Sequence, residues 1–153
     1  VQSAGDFATL RNLTLNSNAG SVAVPPGTYG AFIVNGGSRI TLGVAGATEP
    51  AIYDLRRLTL NGGAHLEIAG PVILTVAGDV LLNGSTDATA DPAWLTLRVA
   101  SGGVTLNGGA TLEAVVLAPA GTITLNGGSR LTGRVECDRL TINGASVLHG
   151  TAP

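Results

Sequence analysis

The chain has no methionine, no lysine and a single cysteine, Cys137. One thiol excludes an internal disulfide framework and any zinc site built on several cysteines. Aromatic residues are 3% of the 153 (Phe7, Tyr29, Phe32, Tyr53 and Trp94), too few to supply stacking platforms for single-stranded nucleic acid or sugar rings. Charged residues are 12%, about half the ordinary share. The eight basic residues are all arginine, spread along the chain, and the net charge is −2, which leaves no electrostatic footprint for a nucleic-acid partner. No apolar run reaches the roughly 18 residues of a membrane span. The first residue is Val1, not methionine, which reads as a processed or trimmed chain from which a signal or anchor has been removed.

What the chain has in abundance is glycine, 23 residues, about twice the usual share, and a repeat. LTLN at 13–16, IVNGG at 33–37, LTLNGG at 58–63, LLNG at 81–84, VTLNGG at 104–109, ITLNGG at 123–128 and LTINGA at 140–145 are copies of one unit. Their anchors are Asn16, Asn35, Asn61, Asn83, Asn107, Asn126 and Asn143, separated by 19, 26, 22, 24, 19 and 17 residues. Such spacing belongs to stacked solenoid units.

The period inside the unit decides between helix and strand. One before each Asn sit Leu15, Val34, Leu60, Leu82, Leu106, Leu125 and Ile142; three before sit Leu13, Phe32, Leu58, Val80, Val104, Ile123 and Leu140. Between them stand Thr14, Ile33, Thr59, Leu81, Thr105, Thr124 and Thr141. Alternation with period two and β-branched residues is the mark of a strand. Five after the Asn, Ile40, Leu66, Leu112, Leu131 and Leu148 resume the alternation between polar neighbours. The Asn-Gly-Gly step fits a corner that needs positive φ, and stacked asparagines can hydrogen-bond along the pile. An antiparallel barrel of Asn-Gly hairpins fits less well, because every copy carries the same residues on the same side of the turn. The expected fold is therefore all-β: one right-handed parallel β-helix of about six to seven coils, each with three short strands. Residues 1–11 are expected to cap it, and 43–53 and 83–93 to be loop insertions, with Trp94 covering the base of the second.

Three segments also carry a resemblance. VPPGTYG at 24–30, GPVILTV at 70–76 and VTLNGGATLEAVVLAPAGTITLNGGSRLTG at 104–133 resemble an LNGG-repeat β-helix domain of unassigned function, found in exported or surface-associated bacterial proteins, some similar to accessory proteins of pili. The likeness spans roughly residues 12–150. It implies a parallel β-helix outside the cytoplasm and brings no catalytic residue with it. Where that family usually has Gly or Tyr-Gly after the second strand, this chain has Glu113-Ala114. There is a weaker resemblance to bactofilins, the polymerising β-helix proteins of the bacterial interior.

Few residues invite a chemical role. Glu67 and Glu113 share a column two coils apart, about 9.6 Å, near the widest carboxylate spacing of an inverting glycosidase. His65 and His149 lie in different columns, too far apart to share a metal. Asp87 and Asp91 lie in a polar loop with no calcium motif. Cys137 continues an inward alternation, as core filler. The outward threonines suggest an ice-binding array, but only Thr122 and Thr124 form a Thr-x-Thr pair. Arg134, Glu136, Asp138 and Arg139 form a charged cluster that reads as a solvated face. No cofactor or metal is expected.

The ends of a solenoid are its liability, because an uncovered coil exposes unpaired backbone and apolar edges. The last coil stays regular almost to the terminus, so Leu140, Thr141, Ile142 and Leu148 are the expected self-association edge. The reading is a non-enzymatic structural protein, an exported surface or filament component whose partner is another copy of itself, joined end to end. A surface module binding glycan, protein or ice is the alternative, and a polysaccharide-active enzyme using Glu67 and Glu113 is the third.

Overall fold

The structure, a computed structural model, describes residues 12–83, 87–89 and 94–150. Within them the chain forms 18 strands and no helix, wound as a parallel β-solenoid of about six turns with three strands per coil. The first coil is β1 (Leu13–Leu15), β2 (Ser21–Ala23) and β3 (Gly27–Thr28); the second is β4 (Ala31–Val34), β5 (Arg39–Leu42) and β6 (Ala51–Leu55). The third holds β7 (Arg57–Leu60), β8 (His65–Ile68) and β9 (Val72–Val76), the fourth β10 (Val80–Asn83), β11 (Asp87–Thr89) and β12 (Leu95–Val99). Then come β13 (Val104–Asn107), β14 (Thr111–Glu113), β15 (Val115–Leu125), β16 (Arg130–Gly133), β17 (Val135–Ile142) and β18 (Val147–Gly150).

Every rung is parallel, and the register is the one the repeat dictates. Leu13 pairs with Phe32, Phe32 with Leu58, Leu58 with Val80, Val80 with Val104, Val104 with Ile123 and Ile123 with Leu140. The second face runs β2-β5-β8-β11-β14-β16-β18. The first and third faces are joined into one sheet, because β15 and β17 pass through the corner between them without a break. Their pairing shifts register there, between Ala118 and Thr122.

The core is the set of inward columns. Phe32, Val34, Ile40, Leu60, Val104, Leu106, Ile123, Leu125 and Leu131 have no exposed surface. A further inward column, three residues past each corner Asn, escaped the sequence reading: Ser38, Ala64, Ala110 and Ser129 are all buried. Only a small side chain fits there, directly behind the turn. The two serines are satisfied locally: Ser38 Oγ donates to the Asn16 carbonyl (2.7 Å) and accepts from the Ala19 N–H (2.9 Å), and Ser129 Oγ donates to the Asn126 carbonyl (2.6 Å). Gly133, at φ 141°, lies so close to the previous coil that a Cβ would run into the Ala114 carbonyl.

The excursions are shorter than the composition suggested. Of residues 43–53, only 43–50 leave the ladder, because Ala51, Ile52 and Tyr53 pair with Val72, Ile73 and Leu74. Of residues 83–93, Asn83 closes β10 and Asp87–Thr89 form β11, in register with His65–Glu67. Polar residues disguise this rung, which its neighbours' backbones still template. Residues 84–86, 90–93 and the expected cap at 1–11 lie outside the described residues. Trp94 is 42% exposed and joins the ladder through its carbonyl, which accepts from the Val72 N–H (2.7 Å).

Two motif segments have structural reasons. Tyr29 Oη donates to the Pro25 carbonyl (2.7 Å), closing VPPGTYG on itself, and its ring lies 5.1 Å from that of Phe32. Tyr53 is fully buried, and its Oη donates to the Val24 carbonyl (2.6 Å) and accepts from the Gly43 N–H (2.9 Å). One phenol thus ties two coils to the root of the 43–50 excursion. Burial pushes both phenols above their ordinary value; the Gly43 N–H offsets part of this for Tyr53, and the neighbouring Tyr53 adds to it for Tyr29.

Two outcomes are expected. Leu106→Ala, at the centre of the stack, lowers stability by about 2–5 kcal/mol, read by equilibrium urea unfolding; a loss under 1 kcal/mol would contradict the close packing described. The folded phenols hold their protons more tightly than unfolded ones. Their stabilisation is therefore complete below the ordinary phenol value and drains away as the pH climbs past it. Tyr53→Phe loses about 1–3 kcal/mol at neutral pH through the orphaned Val24 carbonyl and Gly43 N–H, and flattens the decline above about pH 10. Thermal melts across that range check both.

Candidate functional site: the exposed terminal coil

In a solenoid each coil is buried by the next, so the last one keeps its apolar row uncovered unless something else covers it. The inward residues of β17 and β18 are where this applies. Leu140 is 40% exposed and Ile142 45%, whereas Ile123 and Leu125, one coil earlier in the same columns, are fully buried. Leu148 is half-buried against the core. Thr141, between the two apolar residues, faces outward in register with Thr124. All four expected edge residues therefore lie on the final rung. Val147, 46% exposed and in the outward column over Arg130, adds to the apolar surface and was not anticipated. The opposite end differs: Leu13 and Leu15 are 7% exposed, Val22 4% and Val24 3%.

The corner asparagines run into this end. Asn61 Nδ2 donates to Asn35 Oδ1 (2.9 Å), Asn83 to Asn61 (3.0 Å), Asn107 to Asn83 (2.8 Å), Asn126 to Asn107 (2.9 Å) and Asn143 to Asn126 (2.8 Å). Six of the seven anchors thus make one column of amide hydrogen bonds, all pointing the same way. Asn16 stands apart. Its turn is one residue longer, with Asn18 at φ 58°, and it meets the next coil through its carbonyl, held by Ser38. Asn143 is the exposed last member; the others are half-buried.

The remaining sequence leads are not brought together. Glu67 and Glu113 share a column with the Thr89 rung between them, and Glu67 is already paired with Arg39 at 3.0 Å, both about half exposed. His65 aligns with Arg39 and Asp87, His149 with Thr132. Among the described residues no group of three His, Cys, Asp or Glu could hold a metal; Asp91 lies outside them. Cys137 is half-buried, aligned with the buried Ala118. Arg134 pairs with Glu136 at 3.0 Å in solvent, an ion pair of small energetic weight. Two open grooves indent the sides. One of about 430 Å³ runs past Asn12, Arg56, Arg57 and Ser101, and one of about 410 Å³ past Thr75, Arg98, Leu117 and Glu136. No helix among the described residues is long and apolar enough to cross a membrane.

No family model, curated protein or solved structure matches the chain.

The amide column gives an expected asymmetry. Asn107→Ala removes two ladder bonds and strands Asn83 Oδ1 and Asn126 Nδ2, for a loss of about 1–3 kcal/mol. Asn143→Ala removes one bond at an exposed end and costs less than half of that. Equal losses in urea unfolding would show that the column adds nothing to coil-on-coil stacking.

Proposed function

We propose that this protein is a non-enzymatic structural element that joins end to end with a second copy of itself through its last coil. The observation that carries this reading is the bare inward row Leu140 and Ile142 on β17, whose predecessors Ile123 and Leu125 are sealed, beside the exposed Val147 on β18. Covering it removes apolar surface from water. It also gives partners to the outer backbone N–H and C=O groups of β17 and β18, the usual chemistry of strand addition.

The two ends are unlike, and this bears on the geometry. An open fibre needs the last coil of one copy to find a receptive first coil on the next. The inward apolar side chains of the first coil are buried while those of the last are not, which favours the last coil meeting its own counterpart across a two-fold axis. Strands then run antiparallel across the junction, a slightly more stable pairing than the parallel one. The unit so formed is a closed, doubled rod rather than the filament the repeat first suggests. Its setting at a bacterial surface is supported by the family resemblance alone.

Sedimentation velocity across a concentration series tests this. The expected result is a monomer–dimer equilibrium that stops at two and is abolished by Leu140→Asp with Ile142→Asp, while circular dichroism stays unchanged. Growing polymers would overturn the closed pair but keep end-to-end joining. A monomer at every concentration would overturn both and turn attention to the Arg56–Arg57 groove as a binding site.

A further inference from the structure

Six of the seven corner asparagines are followed directly by glycine. That step is chemically reactive. The glycine nitrogen, with no side chain beside it, can attack the Asn side-chain carbon; the new C–N bond closes a five-membered imide and the Cγ–Nδ2 bond breaks. The proton on the glycine nitrogen passes to a solvent base, and Nδ2 takes up a proton from solvent and leaves as ammonia. Water then opens the imide, at Cγ to give an aspartyl residue or at the main-chain carbon to give an isoaspartyl one.

Attack requires the Asn amide to swing away from its ladder partners toward the following nitrogen. At Asn107 this breaks two amide bonds, the one donated to Asn83 and the one accepted from Asn126. At Asn61 the nucleophile is engaged as well, because the Gly62 N–H donates to the Asn83 carbonyl (2.9 Å). At Asn143 a single side-chain bond among the described residues, the one to Asn126, opposes the swing. The turn bond that closes this corner is also longer than at two earlier ones. The turn bond from Ser146 N–H to the Asn143 carbonyl is 3.3 Å, against 3.0 Å from Ser38 to Asn35 and 3.1 Å from Ala64 to Asn61. Asn143 is exposed, and one side of Gly144 rests on Gly127, whose nitrogen would be 3.1 Å from an added Cβ. Local opening at the end of a structure costs little, whereas in its middle it approaches global unfolding.

We infer that Asn143-Gly144 is a self-modification site, where the folded protein converts its own side-chain amide to a carboxylate, while the amide column protects Asn61, Asn107 and Asn126. The reaction consumes only water. It places one negative charge on the coil carrying Leu140 and Ile142, and it does not depend on whether copies associate.

The chain's lack of lysine makes the test direct. Cleavage after arginine yields residues 140–153, in which Asn143 is the only asparagine, and residues 99–130, which hold Asn107 and Asn126. The folded protein is incubated in ¹⁸O-labelled water at mildly alkaline pH, dilute enough to be monomeric, and the peptides are weighed. Residues 140–153 should take up label about tenfold faster than residues 99–130, with the gap collapsing in urea. Asn143→Gln should remove the label from that peptide. Equal uptake in the folded state, faster uptake in residues 99–130, or label that survives Asn143→Gln would overturn the assignment.

Discussion

Everything in this molecule depends on like residues lying over like from one coil to the next. A parallel rung fixes its neighbour's register, and because side chains alternate with period two, a slip of one residue would turn a whole apolar row to solvent. The amide column reinforces the same register from the corner. An Asn displaced by one place would leave two partners unbonded, at a cost comparable to losing a small buried side chain. Packing and hydrogen bonding therefore select one and the same alignment, and consistency of that kind makes a single native state out of a repetitive chain. It is also why so little charge is needed: 12% charged residues suffice when the specificity lies in stacking.

Much of this was readable before any coordinates. The two apolar columns around each Asn, the Thr column and the second-face column at Ile40, Leu66, Leu112, Leu131 and Leu148 are linear patterns, and they emerge as rungs. What failed to show has a common cause: it depends on neighbours in other coils. The small-residue column at Ser38, Ala64, Ala110 and Ser129 carries no hydropathy signal, since serine and alanine are ordinary in loops. The β11 rung is polar in sequence and exists because β8 and β14 flank it. The extra residue after Asn16, which puts Val22 opposite Ile40, breaks the count without breaking the fold. The continuous course of β15 through a corner is invisible, because Pro119 and Gly121 read as a break.

The candidate site was legible for a different reason. Its residues are unremarkable in themselves; Leu140 and Ile142 continue columns that are buried everywhere else. The sequence argument followed these columns to the last copy of the repeat, where the structure leaves Leu140 40% and Ile142 45% exposed. The chemical leads lie apart. Glu67 and Glu113 fall on rungs of different strands, as do His65 and His149, and Cys137 lies on a further one. Solenoid sites that concentrate reactive groups need a groove or a loop to bring them within reach of one another, and here the grooves are lined by different residues from those leads.

The direction of the amide column has an electrical meaning. Six side-chain amides joined in file by five bonds, each donor aimed at the coil before, add their dipoles as the peptide groups of a helix do. The Asn35 end becomes the weakly positive pole and the Asn143 end the weakly negative one. In the proposed pairing of two last coils, the poles that face each other would have the same sign, so this small term would oppose the junction while burial of Leu140 and Ile142 favours it. Added salt screens the first and leaves the second largely intact. A junction of this kind tightens as ionic strength rises, the reverse of one held by ion pairs.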